Sequence, residues 1–206
     1  MRRTILILCA TALALSACST PTTNGTATPT NGGTSPSPSN SASPTTDVPK
    51  VRDPIELAQI KRTPCNALTD TQAKQILGPA IEHVEQLDGS AGPACRWSVP
   101  ATAQPRVNVI FSNLPDSGTA KFYEAKGTTY KLLEPLAPID GYPVTAYDTK
   151  DERKTEGRCS VALGTSDTQT ISISLEQSAA NIGKKDPCDA AREAAIRVLA
   201  TIRGGN

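Results

Sequence analysis

The chain has 206 residues, with 21 Lys and Arg against 20 Asp and Glu and a formal charge of +1. That near-neutrality leaves no electrostatic footprint for nucleic acid or another acidic polymer as partner. Aromatic residues make up only 3% of the chain, too few for stacking platforms that grip bases or sugars, and a single His leaves little for imidazole chemistry.

At the start, Met1-Arg2-Arg3 is a short positive region, Thr4 to Leu15 is an uncharged apolar run, and Ser16-Ala17 brings small residues to a cleavage point. This is the three-part layout of an export signal over residues 1–17, too short and wrongly flanked for a membrane-spanning helix. Leu15-Ser16-Ala17-Cys18 resembles the bacterial lipobox. The resemblance implies a diacylglyceryl thioether on Cys18, which becomes the new N-terminus after cleavage. Two acyl chains, at roughly 0.8 kcal/mol per buried CH₂, give stable anchoring where one is marginal. The expected location is the extracytoplasmic face of the cell membrane. An ordinary secretory signal with a chance cysteine is the alternative; Cys9 is discarded in either case.

Behind Cys18, residues 19–50 are mostly Ser, Thr, Pro, Asn and Gly, with no aromatic side chain and no charge before Asp47, so that 18–50 forms the lipidated cysteine and its linker. Such a stretch cannot bury enough apolar surface to offset its ordering entropy, so a disordered tether spanning roughly 30 Å is expected. Thr28-Pro29, Ser35-Pro36-Ser37-Pro38 and Ser43-Pro44 are sites where O-linked sugar is an option; an unmodified spacer is the plainer reading.

Residues 51–206 fit one domain with a sizeable core. Four cysteines survive export: Cys65, Cys95, Cys159 and Cys188. An even count in an exported domain reads as two disulfides, and no two lie close enough for a zinc knuckle. No metal and no cofactor is expected. Pairing Cys65 with Cys95 and Cys159 with Cys188 staples a helix start to a strand within each half; the competitor joins Cys65 to Cys188 and Cys95 to Cys159.

In chain order, Thr69-Asp70-Thr71-Gln72 carries a capping-box pattern for a short helix, with Ala73, Ile76 and Leu77 on its apolar side and Gly78 at its end. Helical and alternating patterns compete over 81–87, where a strand is the weaker reading. Cys95, Trp97 and Val99 alternate with polar residues, and Val107, Val109 and Phe111 repeat that pattern. Asp116 to Lys126 reads as a second helix, with Ala120, Phe122, Tyr123 and Ala125 available for packing. Gly89 to Pro93 and Leu133 to Gly141 read as loops rich in Pro and Gly that could rim a pocket. Tyr142, Val144 and Ala146 form a strand, a charged loop runs from Asp148 to Arg158, and two strands flank the hairpin signal Gly164-Thr165-Ser166-Asp167. In the second of these, Ile171, Ile173 and Leu175 are expected to face a core and Ser172 and Ser174 to face water. Asp186-Pro187 caps a final helix with an apolar stripe of Ala191, Ala195, Val198, Leu199 and Ile202, an outer Glu193–Arg197 pair and a glycine stop. The fold expected is α+β: an antiparallel sheet of about five strands with helices packed on one face and two disulfides.

Cys65-Asn66-Ala67-Leu68, Cys95-Arg96-Trp97, Cys159-Ser160-Val161 and Asp186-Pro187-Cys188 before an Ala-rich helix, behind a lipobox and a Ser/Thr/Pro linker, together resemble an actinobacterial four-cysteine lipoprotein family of unknown function. The resemblance covers about residues 50–206 and implies fold and location, not a reaction. A looser similarity is to the disulfide-stapled extracellular sensor domains of mycobacterial serine/threonine kinases, which implies a sensing or binding role.

Glu82-His83-x-Glu85 places an imidazole near two carboxylates, but no nucleophile or further ligand is nearby in sequence, and a solvated strand edge accounts for the pattern. No G-x-S-x-G, S-x-x-K or H-E-x-x-H occurs. Trp97 reads as the main core aromatic beside a disulfide. The function expected is a non-enzymatic, lipid-anchored envelope lipoprotein that binds a small amphiphile or lipid. The alternative is a protein-interaction or sensor module that meets another envelope protein. A carrier needs an apolar cavity above roughly 300 Å³, an interaction module an exposed apolar patch of a few hundred Å², and an enzyme His83 in a cleft with a hydroxyl and a carboxylate.

Overall fold

The structure, a computed structural model, describes residues 48–100, 102 and 104–204. The expected signal segment, Cys18 and the linker up to residue 47 lie outside the described residues.

The first helix, α1 (Asp70–Leu77), starts at Thr69, whose hydroxyl accepts from the Gln72 amide at 3.2 Å while the Gln72 side chain accepts from the Thr69 amide at 2.8 Å. This reciprocal cap satisfies two of the amides that a helix start leaves without intrahelical partners. Three strands follow as a meander: β1 (Glu82–Gln86), β2 (Ala94–Ser98) and β3 (Arg106–Phe111). The short helix α2 (Thr119–Glu124) then carries the chain to the far edge of the sheet. From there β4 (Leu132–Ile139), β5 (Tyr142–Asp148), β6 (Arg158–Ser166) and β7 (Gln169–Glu176) run back, and β7 docks beside β3. The result is one seven-stranded, all-antiparallel sheet in the order β1-β2-β3-β7-β6-β5-β4. The last helix, α3 (Pro187–Ile202), opens with the Asp186 carboxylate accepting from the Cys188 amide at 2.8 Å and with Pro187 in the first turn, where a missing N–H is harmless.

Seven strands, not five, make the sheet. The clearest addition is β4, in a stretch whose Pro135 and Pro138 read as a loop. It is an edge strand, paired only with β5 and irregular between Leu136 and Ile139. A proline there forfeits no ladder bond on the open side, so an edge tolerates what a central strand does not. At the opposite edge, β1 forms where the two periodicities compete, and all five of its residues are exposed.

Alternation along each strand creates two unlike faces. One carries Trp97, Val107, Val109, Phe111, Val144, Ala146, Val161, Leu163, Ile171 and Ile173, all essentially excluded from water. Each Val, Leu, Ile and Phe among them contributes about 1.5–3 kcal/mol by leaving water, which fixes which way every strand faces. Against this face α3 buries Ala191, Ala194, Ala195, Val198 and Leu199, and the turn at Pro64–Ala67 packs beside it. Two disulfides close the layer, Cys65–Cys95 tying that turn to β2 and Cys159–Cys188 tying β6 to the start of α3. The competing cross-pairing does not form.

The expectation that the helices share one face needs correction. Phe122 of α2 packs on Tyr147 of β5, and the Tyr147 phenol hydrogen-bonds Ser172 of β7. Ser172 lies between Ile171 and Ile173 in the strand and therefore points away from the core. So α2 covers the face opposite α3. The physical reason is topological: the connection from β3 in the middle of the sheet to β4 at its edge has to cross β7, β6 and β5 on one side or the other.

Candidate functional site

The second face is floored by the residues left over from the core alternation. In register across the sheet, Ile110 of β3 pairs with Ser172 of β7, Ser172 with Ala162 of β6, and Thr145 of β5 with Ala162. The next row is Asn108, Ser174, Ser160 and Tyr147, and the one beyond it Arg106, Glu176 and Arg158. Beyond Arg158 at its start, central β6 therefore offers Ser160, Ala162 and Gly164 to this face. The lack of bulk there lets the Tyr147 side chain reach over β6 to Ser172, two strands away.

Above this low floor stand the crossover and its aromatics. Phe122 lies 4.6 Å from Tyr147 and 5.5 Å from Tyr130 between ring centroids, and Tyr130 lies 5.2 Å from Tyr147, two edge-on contacts and one stacked. These spacings fall in the range where aromatic pairs attract beyond simple burial. Three of the chain's six Phe and Tyr side chains thus meet at one place. Gly118 sets the height of the crossover, because a Cβ there would overlap the backbone carbonyl of Asp167 at the tip of the β6–β7 hairpin. The Thr170 hydroxyl donates to the Ser117 carbonyl at 2.9 Å, and the Lys61 ammonium to the Ser112 carbonyl at 2.7 Å, pinning the segment at both ends.

Between floor and crossover is a cavity of about 610 Å³, open to solvent, whose wall is formed by Ile110, Leu114, Phe122, Tyr130, Tyr147 and Ser172 among others. Leu114 stands at the rim with 62% of its surface exposed. The polar groups inside are hydroxyls. Tyr147 and Ser172 satisfy each other; the Ser117 Oγ has almost no accessible surface and no hydrogen-bond partner among the described residues, so it faces the protein and not the open space of the cavity. Burial pushes the Tyr147 phenol up to about 12 and raises Tyr130 above the usual tyrosine value, so both remain neutral at any physiological pH. The charged side chains lining the cavity are Asp116 and Lys121. Lys121 is held by Glu124 at 2.8 Å, which together with Asp116 raises its pKa.

At the far end of the same face Glu176, 8% exposed, receives Arg106 at 2.5 Å and Arg158 at 3.7 Å, and Arg158 also pairs with Glu152. Two cations and two carboxylates balance there. Another depression, of about 510 Å³, lies at the start of α3 among Arg153, Lys154, Lys184 and Lys185, with Asp151 and Asp186 beside them. Its lining is charged and mixed in sign, unlike the apolar wall that small-molecule sites favour.

His83 is exposed and borders a shallow depression of about 310 Å³ with Thr69, Asp70 and Thr201. A carboxylate and two hydroxyls are therefore close, but the hydroxyls are engaged elsewhere. Thr69 caps α1, and Thr201 bonds the Arg197 carbonyl at 2.9 Å and the Gln72 side chain at 3.1 Å. The His83 imidazole makes no hydrogen bond among the described residues. Cys65, Cys95, Cys159 and Cys188 are all spent in disulfides, and no cluster of three or more His, Cys, Asp or Glu side chains is placed to hold a metal among the described residues. No helix among them is long and apolar enough to cross a membrane.

Of the cavity's lining residues, Ala91 alone falls in a loop, Gly89 to Pro93, that the sequence offers as a pocket rim. In the sequence Phe122 reads only as a packing residue and Ser172 as one that faces water. Tyr147 lay one step beyond the strand pattern ending at Ala146; extending the alternation by one residue, with Thr145 and Tyr147 on the second side, is the signal that marks it.

A family model described as "Protein of unknown function (DUF3558)" matches residues 13–201. The chain belongs to that family. No curated protein and no solved structure matches it. Membership in DUF3558 brings no reaction or ligand with it, so the cavity's chemistry has to speak for function in this member.

Proposed function

We propose that this DUF3558 protein is a non-enzymatic, lipid-anchored lipoprotein of the cell envelope whose domain binds a small amphiphile or lipid in the cavity beneath α2. Residues 1–17 direct export, Cys18 carries the lipid on the extracytoplasmic face of the membrane, and residues 18–50 form the tether. The observation that carries the binding role is the cavity of about 610 Å³ with its aromatic wall, well above the roughly 300 Å³ at which small-molecule sites begin. The alternative, a protein-interaction module, has less in its favour. The large apolar side chains exposed among the described residues are Val84, Leu87 and Leu114, and Leu114 already belongs to the cavity rim.

Native mass spectrometry of the full chain, extracted from membranes in mild detergent, tests the binding role. The expected spectrum contains a lipid-sized adduct that is lost in Ile110→Trp, which fills the cavity. A ligand-free mass for the wild type, even after incubation with a total lipid extract, would count against it. Labelling with a fatty-acid analogue tests the anchor separately: Cys18→Ala should take up none.

A further inference from the structure

The two ends of the sheet differ in what they expose. Antiparallel register puts the β1–β2 hairpin loop (87–93), the loop after β3 (112–118) and the tip of the β6–β7 hairpin at one end. The first two loops are bonded to each other, the Asn113 amide donating to the Ala91 carbonyl at 3.2 Å. On them stand Leu87 and Leu114, two of the three large apolar side chains exposed among the described residues, with Ala91 and Pro115 exposed beside them. Scattered singly, exposed leucines carry no message. Here they share one end of the sheet with the rim of the cavity, which Ala91, Leu114 and Pro115 also line. The opposite end holds the charged loop between β5 and β6, with Asp151, Arg153 and Lys154, and beside it Lys184 and Lys185 ahead of α3.

The chain enters the domain at the apolar end. The Val51 amide donates to the Asp167 carboxylate at 3.1 Å, the Lys50 ammonium pairs with the same carboxylate at 3.5 Å, and the Ile55 amide donates to the Thr165 carbonyl at 2.9 Å. Asp167 belongs to the hairpin tip against which Gly118 rests. The chain from Cys18 onward therefore reaches the domain beside the loops that carry Leu87 and Leu114.

We infer that loops 87–93 and 112–118 rest on the bilayer that holds the Cys18 lipid, with Leu87 and Leu114 entering its surface and the rim of the cavity set against it. The inference rests on Cys18 as the anchor and adds the orientation of the domain. Tethering turns a weak apolar contact into an intramolecular one at high effective concentration, so two leucines suffice where they would not hold a free protein. Neither loop carries a Lys or Arg, and Asp88 and Asp116 flank the leucines. The contact is therefore apolar and strongest on an uncharged bilayer.

The test uses the full, lipid-modified chain in phosphatidylcholine vesicles, with a fluorescent label on Ser90→Cys at the apolar end or on Thr155→Cys at the charged end, both exposed positions. Spin-labelled phosphatidylcholine is the quencher. Quenching is expected at Ser90→Cys and not at Thr155→Cys. Adding Leu87→Ser and Leu114→Ser should cut the quenching at Ser90→Cys about tenfold, while the protein still floats with the vesicles through Cys18. Quenching that survives both leucine substitutions overturns their assignment as the membrane contact. Ile110→Trp, which fills the cavity, should leave the quenching unchanged. Its loss in that variant means that the quencher lies in the cavity, which overturns the bilayer contact and keeps the cavity reading. Equal quenching at the two ends, or none at Ser90→Cys in protein that floats, overturns the inference alone. Failure of the wild type to float overturns the anchor and the inference with it.

Discussion

Tyr147 gives the strictest test of whether the inner wall of the cavity is dry. Its phenol titrates near 10 in an unfolded chain and is pushed up to about 12 in the folded protein, chiefly by burial. A folded-state value above the unfolded one means that the group's contribution to stability is fully present below pH 10 and is lost as pH rises from 10 to 12. Between those limits the unfolded chain releases the proton first, and ionisation pulls the equilibrium toward it. With these two values, Tyr147 alone should remove about 1.4 kcal/mol of stability between pH 8 and pH 11, and about 2.7 kcal/mol once pH exceeds both values. Tyr147→Phe deletes the titration but keeps the ring against Phe122 and Tyr130. At pH 8 the variant should lose only about 0.5–1.5 kcal/mol, the net worth of the hydrogen bond to Ser172. Urea unfolding of both proteins at pH 8 and pH 11 reads this directly, since every other tyrosine and lysine is common to the pair. The wild type should lose about 1.4 kcal/mol more than the variant over that interval. Equal losses would mean that water reaches the phenol freely and that the aromatic wall is not an apolar surface.

Three further perturbations separate the parts of the structure. Replacing Cys159 and Cys188 together by Ala opens a loop of 29 residues and should lower stability by about 3.6 kcal/mol in the chain-entropy model; a loss under about 1 kcal/mol in non-reducing urea titrations would show that the staple adds little. Gly118→Ala drives a methyl group into the Asp167 carbonyl, so it should cost about 1–3 kcal/mol and weaken binding in the cavity by displacing the crossover, both measurable on one preparation. His83→Ala removes an exposed side chain outside the cavity and should change stability by less than about 1 kcal/mol and leave an envelope phenotype of gene deletion fully complemented; a folded, correctly located variant that fails to complement would reopen a catalytic role.

Local chemistry explains why some elements were legible in the sequence and others were not. The caps of α1 and α3 are short-range: Thr69, Gln72 and Asp186 satisfy amides within three residues of themselves, and Pro187 has no amide proton to satisfy. Alternation in β2, β3, β6 and β7 was readable because one side of each strand faces the same core. Strand β4 was not, since prolines signal loops except at an edge, and edge position is a property of the whole sheet. The second face was hidden for the same reason. Ser172 and Ser174 alternate with Ile171 and Ile173, and nothing local tells a solvated serine from one that floors a cavity. That depends on the path of the crossover, which is fixed by where β4 pairs, some 20 residues after β3. The aromatic cluster joins Phe122, Tyr130 and Tyr147 from three different elements or connections, so no spacing rule announces it.

The most direct test of a ligand site beneath α2 is a methyl-resolved NMR titration of the full chain with a monoacylglycerol. Ile110, Leu114 and Ala91, which line the cavity, should shift, while Ile173, Val161 and Val198 on the opposite face and Val84 on the exposed edge strand stay nearly fixed. Shifts confined to Val84 and Leu87, or none at saturating probe, would contradict the account.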